Sequence, residues 1–390
     1  MKQFFVFIGK ILLVLLVSAF VLDFSYSYVY SKSKSRNKIE NILNDKSKEF
    51  DVIMLGSSRA NNHFVPQLFI EKGLKAYNYG MSGSRLQETA LVLQLMLEKK
   101  YTIKNIILEV DLNINSEGYS EGTRARFMPY LKSNETVANY YNEIIPEFKL
   151  LYYLPFYRFI RNDAQIGFRQ MFFSMINKPS ADLLNEGFYA LQGEGQNMKY
   201  DLTKYAPKRN KDYELIKNLC KTNNINLIVV STPMCSSVKG IRYFEKIKNI
   251  YPEVHNCEHY VTEDKYFSSC GHMNEAGARV FTAKIIEDFF LTGKSAYSVG
   301  KADNPVTLPL YLLFYPDLTV EMLDRIVPTL CPQQLQTDSI SWLFPRWELH
   351  YMNYPEYFSA RIQLLQNYFW PFNPQTKEVD AQLLQHLPSR

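Results

Sequence analysis

The sequence predicts an α/β protein built on a parallel sheet, and three observations carry that expectation. Short continuous apolar runs read as strands buried on both faces: Asp51–Leu55, Lys75–Tyr79, Asn105–Val110 and Asn226–Ser231. Helical patterns separate them, and strands alternating with helices imply parallel pairing with helices covering both faces. The composition is that of a packed chain: of 390 residues, 46% are hydrophobic and 21% charged.

Taken in order, the chain opens on an apolar segment, Phe4–Phe24, interrupted by Gly9, Lys10, Ser18 and Asp23, with its core at Ile11–Leu22. The core is short for a full span, but flanking aromatics and a snorkelling Lys10 allow it to cross a bilayer. A cleaved signal peptide and a buried core helix are the alternatives. Phe20, Leu22 and Phe24 crowd the place where a small-residue cleavage pattern would lie. We therefore expect residues 1–30 to be a membrane anchor or signal segment. Residues 31–50 read as a polar, lysine-rich helical linker. The basic cluster Lys32, Lys34, Arg36 and Lys38 would favour a cytoplasmic side, in conflict with an exported domain.

The α/β domain is expected over residues 51–293. A strand at Asp51–Leu55 is followed by a short helix at Pro66–Lys72 and a strand at Lys75–Tyr79. A helix at Leu86–Lys99 carries Leu91, Leu95 and Leu97, and a third strand follows at Asn105–Val110. An aromatic-rich insertion spans residues 116–209. Its run from Lys149 to Phe159 reads as core, lid or interfacial helix. After it come a helix at Asp212–Thr222 and a strand at Asn226–Ser231 that stops at Thr232-Pro233. The closing helix, Asn274–Leu291, has Asn274 as N-cap and one apolar stripe of Ala278, Phe281, Ile285, Ile286 and Phe289.

Composition changes beyond Gly293. All three tryptophans and ten of eighteen prolines fall in residues 294–390. Seven basic and nine acidic residues there give −2, leaving +7 for the rest of a chain whose net charge is +5. We expect a C-terminal segment of distinct composition, mainly helical, with patterns at Thr319–Leu330 and Tyr357–Tyr368. A net charge of +5 on this length does not argue for nucleic acid. Five cysteines with no CxxC do not suggest a metal ribbon. In an exported domain, one disulfide among Cys235, Cys257 and Cys270 is as consistent with the sequence as free buried thiols.

Chemistry is expected at the strand ends, where open α/β sheets place their ligands. Gly56-Ser57-Ser58-Arg59 follows the first strand and offers Ser58 as nucleophile. A serine nucleophile needs a base, and His272 stands just before the capped closing helix. His63 follows the serine closely and, with Arg59, is expected to line the pocket. Oxyanion donors are expected from Asn78-Tyr79-Gly80-Met81-Ser82-Gly83-Ser84 after the second strand. Glu109-Val110-Asp111-Leu112-Asn113, after the third, adds an amide donor. Such donors are worth roughly 3 kcal/mol each in acyl transfer.

The ordered set of serine, glycine, asparagine and histidine blocks resembles the SGNH, or GDSL-like, hydrolase superfamily. The resemblance covers about residues 51–291, and is to the anchored or exported branch whose first block reads Gly-Ser-Ser-Arg. It implies a flavodoxin-like three-layer α/β/α sandwich and carboxylic-ester hydrolysis or acyl transfer through an acyl-serine. It also implies Ser58 as nucleophile, His272 as base, and Gly83 and Asn113 as oxyanion donors. No metal or organic cofactor is expected. Acylated, especially acetylated, cell-surface polysaccharide is the substrate class found among relatives of this branch, and an extracytoplasmic location follows from it. The family's last block has Asp three residues before the histidine; here that place is Ser269, with Asp264 or Glu263 as substitutes from the same loop. A catalytically inactive SGNH protein that binds or assembles glycans is the alternative that Ser269 motivates.

Overall fold

The structure is a computed structural model that describes residues 1–115 and 117–291, all within one compact unit, Met1–Gly293. The expected helical C-terminal segment at 294–390 lies outside the described residues. Helix α1, Lys2–Lys32, carries the apolar segment; its most apolar 18-residue window is wholly exposed, so this is not a buried core helix. It is long and apolar enough to serve as a membrane anchor or signal sequence.

The segment expected to be a linker departs from that reading. Residues 38–44 form helix α2, Lys38–Asn44, whose first five residues are all buried. Asn37 caps it by accepting from the Ile39 and Glu40 N–H groups. A lysine-rich run can enter a core when each charge finds a partner, and here Lys38 Nζ donates to Asn61 Oδ1, Gly80 O and Gly187 O at 2.5–2.7 Å.

Five strands form one parallel sheet: β1 (Glu49–Leu55), β2 (Ala76–Asn78), β3 (Thr102–Glu109), β5 (Asn226–Ser231) and β7 (His255–Asn256), in the order β2-β1-β3-β5-β7. In register, Met54 lies beside Asn78 and Ile107, and Ile107 lies beside Ile228. The short outer strand β7 carries no apolar run and is not visible in the sequence pattern. Between β3 and β5 the two-residue strand β4 (Tyr200–Asp201) pairs with β6 (Val238–Lys239) as a separate ribbon.

Helices α3 (Ser58–His63) and α4 (Pro66–Ile70) connect β1 to β2. Helix α5 (Leu86–Glu98) connects β2 to β3. The first connection moves one way across the sheet and the later ones move the other way. Right-handed crossovers therefore set α3 and α4 on one face and α5 on the opposite face. Across the insertion run α6 (Glu121–Arg124), α7 (Glu135–Ile144), α8 (Phe148–Tyr153), α9 (Tyr157–Arg161), α10 (Asp163–Ile166) and α11 (Phe168–Met175). Helix α12 (Lys211–Thr222) packs beside α5, and α13 (Tyr243–Ile250) precedes β7. A small antiparallel pair, β8 (Phe267–Ser269) and β9 (His272–Met273), leads into α14 (Glu275–Ile286), which packs on α3 and α4. Asn274 caps α14, accepting from Gly277 N–H at 3.0 Å. Residues 287–291 continue in a π turn, so the closing helix is α-helical only to Ile286.

Candidate active site

Strand β1 ends buried, and the chain turns at Gly56, whose φ of +142° and tight surroundings exclude a side chain. A Cβ there would stand 2.8 Å from Glu109 Oε2 and 2.9 Å from Ala60 Cβ. The turn delivers Ser57 and Ser58 onto α3. Ser57 faces the sheet: its N–H and Oγ both donate to Glu109 Oε2, at 2.8 and 2.7 Å, tying the ends of β1 and β3 together. Its Oγ also accepts from Arg59 N–H, capping α3. Ser58, one residue on, is half-buried and free of that duty.

Ser58 Oγ lies 2.8 Å from His272 Nε2, although 214 residues separate them. His272 sits on β9, and its Nδ1 lies 3.2 Å from Ser269 Oγ on β8. For Nε2 to accept the Ser58 proton, Nδ1 must carry its own hydrogen and donate it to Ser269. Burial, and then the Arg59 charge, push the His272 pKa down to about 4. The imidazole is therefore neutral and able to accept a proton at pH 7.

The two residues expected to line a pocket are instead buried supports. Arg59 is 4% exposed, and its Nε lies 2.6 Å from Asp111 Oδ2. It also donates to Thr232 Oγ1 and to the carbonyls of Thr232 and Pro233, at 2.7–2.9 Å. A guanidinium beside a fully buried carboxylate is drawn inside because the pair costs less than either charge alone. Burial raises the Asp111 pKa; the Arg59 charge and two donors from Thr232 work against that rise. His63 is fully buried as well. Thr232 Oγ1 gives its hydrogen to Asp111, so His63 Nδ1–H donates to Thr232 at 2.9 Å. His63 Nε2 accepts from Met273 N–H at 3.1 Å. Burial, with Arg59 and His272 nearby, holds the His63 pKa well below its usual range, so the ring stays neutral. A chain of contacts thus runs from Asp111 and Arg59 through Thr232 and His63 to the backbone of the residue after His272.

The loop of His272 has a covalent brace. Cys235, just beyond β5, is disulfide-bonded to Cys270, and its N–H donates to Cys270 O at 3.1 Å. Cys257 and Cys220 are free and buried. Asp264 does not reach the histidine; it accepts from Ser236 N–H and Oγ, both at 2.8 Å, on the same braced loop. Its carboxylate is committed to Ser236, which corrects the expectation that it could orient His272. Glu263 pairs with Lys265 at 2.7 Å.

Gly83 and Asn113 lie on the loops after β2 and β3, the two neighbours of β1. Gly83 has φ +79°, with open space around it apart from Ser120 and Thr123 hydroxyls 3.8 Å from where a Cβ would stand. The crowded glycine of that block is Gly80, where a Cβ would stand 2.6 Å from Asn61 N. Asn113 is 7% exposed; Nδ2 donates to Glu109 O at 3.3 Å, and its buried Oδ1 has no protein partner. His272 thus contacts Ser58 through Nε2 and Ser269 through Nδ1, and Gly83 and Asn113 stand on the loops after the two strands that flank β1. Glu109, Asp111 and Thr232 carry a signal visible in the sequence: polar side chains at or just past the ends of otherwise apolar strands.

No protein-family model matches the chain, and no curated protein matches it. Among solved structures, the chain is similar to one from Streptococcus pneumonia described as "a putative platelet activating factor". The match has 12% identity and TM-score 0.30, covering 73% of this chain and 98% of that one.

Proposed function

We propose that the chain is an SGNH-type serine esterase or O-acyltransferase, anchored by α1 with its α/β domain outside the cytoplasm. The observation that carries the reading is the 2.8 Å contact between Ser58 Oγ and His272 Nε2, with Nδ1 held by Ser269. The sheet order supports it: counted along the main sheet alone, β2-β1-β3-β5-β7 is 2-1-3-4-5, the doubly wound flavodoxin-type order. In that order the switch point lies between β1 and β3, where Ser57 meets Glu109.

Ser58 Oγ attacks the acyl carbonyl carbon as its proton passes to His272 Nε2. The tetrahedral oxyanion collapses, the alcohol leaves with the proton from Nε2, and acyl-Ser58 remains. Water or a sugar hydroxyl then attacks, giving its proton to Nε2, and the bond from the acyl carbon to Ser58 Oγ breaks as Oγ takes that proton back, leaving the acid or the new ester and neutral His272. The Gly83 N–H and Asn113 Nδ2 are the proposed oxyanion donors, working from preorganised positions. Acetylated cell-surface carbohydrate is the substrate class the family resemblance suggests. The Cys235–Cys270 disulfide fits an oxidising compartment. Two members of the basic cluster are taken up by the domain: Lys38 is buried, and Arg36 bonds to Gln170, Lys178 and Pro179. Lys32 and Lys34 stay exposed on that side of the span, against Lys2 and Lys10 on the other.

A second reading, an inactive SGNH-fold protein that binds or assembles glycans, draws on Ser269. A neutral hydroxyl fixes the His272 tautomer but adds no charge to stabilise an imidazolium. Fluorophosphonate labelling and acetyl release from p-nitrophenyl acetate separate the two. The enzyme reading expects both activities in the full chain and neither in Ser58→Ala, with acetyl release lost in His272→Ala. Folded full-length protein that neither labels nor turns over acetyl esters would leave the inactive reading standing.

A further inference from the structure

The aromatic-rich insertion packs against α1 at the level where the apolar segment ends. Asp23, the first acidic residue of α1, is 8% exposed and is held from the insertion side. Its Oδ1 is ion-paired with Arg158 Nη1 at 2.8 Å and accepts from the Phe156 N–H at 3.0 Å; Oδ2 accepts from Lys132 Nζ at 3.0 Å. One turn on, Tyr26 packs edge-on to Phe156 at 4.9 Å and against Phe159 at 5.1 Å. Arg158 also donates to Ser27 Oγ, and Tyr30 stacks on Phe159. The ring and charge contacts leave α9 fixed to the last three turns of α1.

Helices α8–α11 leave large apolar side chains exposed: Tyr153 is 72% exposed, Ile160 63% and Phe168 66%, and Leu150 and Met175 are exposed as well. Exposed apolar side chains in such number on one insertion mark an interaction surface. Phe24 and Tyr28 on α1 are exposed too, and no residue in the most apolar window of α1 is buried. Lys149 and Arg169 are exposed along the same helices, and Lys178 is exposed just after α11. Aromatic rings with apolar bodies and basic side chains at the edge of an apolar span are the composition of a membrane–water interface.

We propose that α8–α11 form an interfacial platform that lies in the headgroup region of the bilayer crossed by α1. It would hold the candidate site at a set height and tilt above the membrane. The occupant of the exposed face is lipid, because α9, which carries Ile160, is tied to α1 at Asp23 and Tyr26, where the length of a span is used up: residues 2–22 rise about 31 Å, one hydrocarbon thickness. The inference rests on α1 spanning the membrane.

The test places a diazirine photo-cross-linking residue singly at Val14, Ile160 or Lys246 in the full chain. Each variant is reconstituted in vesicles of phosphatidylcholine and phosphatidylglycerol, and adducts are read by mass spectrometry. Lys246, exposed on α13, reports the background. We expect lipid adducts at Val14 and Ile160, each severalfold above Lys246. Lipid adducts at Val14 with none at Ile160 overturn the platform and leave the anchor intact. Adducts of Ile160 with a second copy, or with residues 294–390, overturn it as well. Absence of lipid at Val14 overturns the anchor reading itself, and the platform with it.

Discussion

Ser269 is the residue on which the strength of the proposed base turns. Its hydroxyl takes the hydrogen of His272 Nδ1, so the tautomer is right, but burial and Arg59 leave the pKa at about 4. A base so weak is fully neutral at pH 7, yet gains little driving force when it removes a proton. Replacing Ser269 by Asp puts a charge beside Nδ1 and raises that pKa. Removing the corresponding Asp from a related triad costs about 10⁴ in turnover, so we expect Ser269→Asp to raise kcat for p-nitrophenyl acetate by at least about tenfold at pH 7. Unchanged or lower kcat in a folded variant would show that the imidazolium is not the limiting species. The same shift sets the acid limb of the pH profile. The base works only when neutral, so kcat/KM should fall as pH drops through about 4 and stay flat through the ordinary histidine range. A limb near 6.5 would contradict the burial argument.

Protonation of His272 also bears on stability. Its folded pKa lies below the unfolded value of about 6.5, so the unfolded chain binds protons first as pH falls. Stability is therefore lost from about pH 6.5 down to about pH 4. The loss should reach about 2 kcal/mol by pH 5, at roughly 1.4 kcal/mol per unit. Urea unfolding of wild type and His272→Gln at pH 7 and pH 5 isolates this share; equal pH-dependence in both would refute it.

At the scale of elements, the site is held by polar ties between strand ends and loops. Asp111 after β3, Thr232 after β5, His63 at the end of α3 and Met273 on β9 form one connected path. Thr232→Val keeps the shape and removes the hydroxyl that three partners use, leaving buried polar groups unpaired. We expect a loss of about 1–3 kcal/mol in unfolding free energy and a lower kcat with little change in KM, because the histidine loop loses its brace while the substrate surface is untouched. Lys38 plays the corresponding part on the other side. Burial lowers its pKa to about 7, yet three oxygen acceptors surround Nζ, and only the ammonium has three hydrogens to give. Lys38→Met should cost about 3 kcal/mol or more by leaving those acceptors unmatched, read from the urea midpoint. A neutral result would mean that α2 is docked by its apolar residues alone.

For the molecule as a whole, the disulfide closes a 35-residue loop that carries β6, α13, β7 and the approach to His272. Chain entropy assigns such a closure about 2–4 kcal/mol. Cys270→Ser should therefore lower the thermal midpoint, and its residual activity should fall further than Ser58 labelling at low temperature, since the loop holds the base rather than the nucleophile. A variant whose labelling and turnover fall in parallel would indicate general loosening. Much of this architecture was legible in the sequence. The four apolar strands, the capped closing helix, the exposed apolar α1 and the serine and histidine blocks all advertise themselves locally, by pattern or by cap. The buried ion pair of Arg59 was not legible, nor was the packing of Lys38 inside the domain, because a charged residue looks solvent-bound until its partner is known.

The sequence by itself determined the strand and helix periods, the apolar segment at the start, and which serine and histidine were worth pairing. Those are local properties of residue type and spacing. Tertiary structure alone decided that Ser58 and His272 meet, that Cys235 takes Cys270 rather than Cys257, and that Arg59 and His63 brace the site instead of lining it. Each of these joins residues tens to hundreds of positions apart, and only the sheet order and the depth of burial determine which polar groups must satisfy one another.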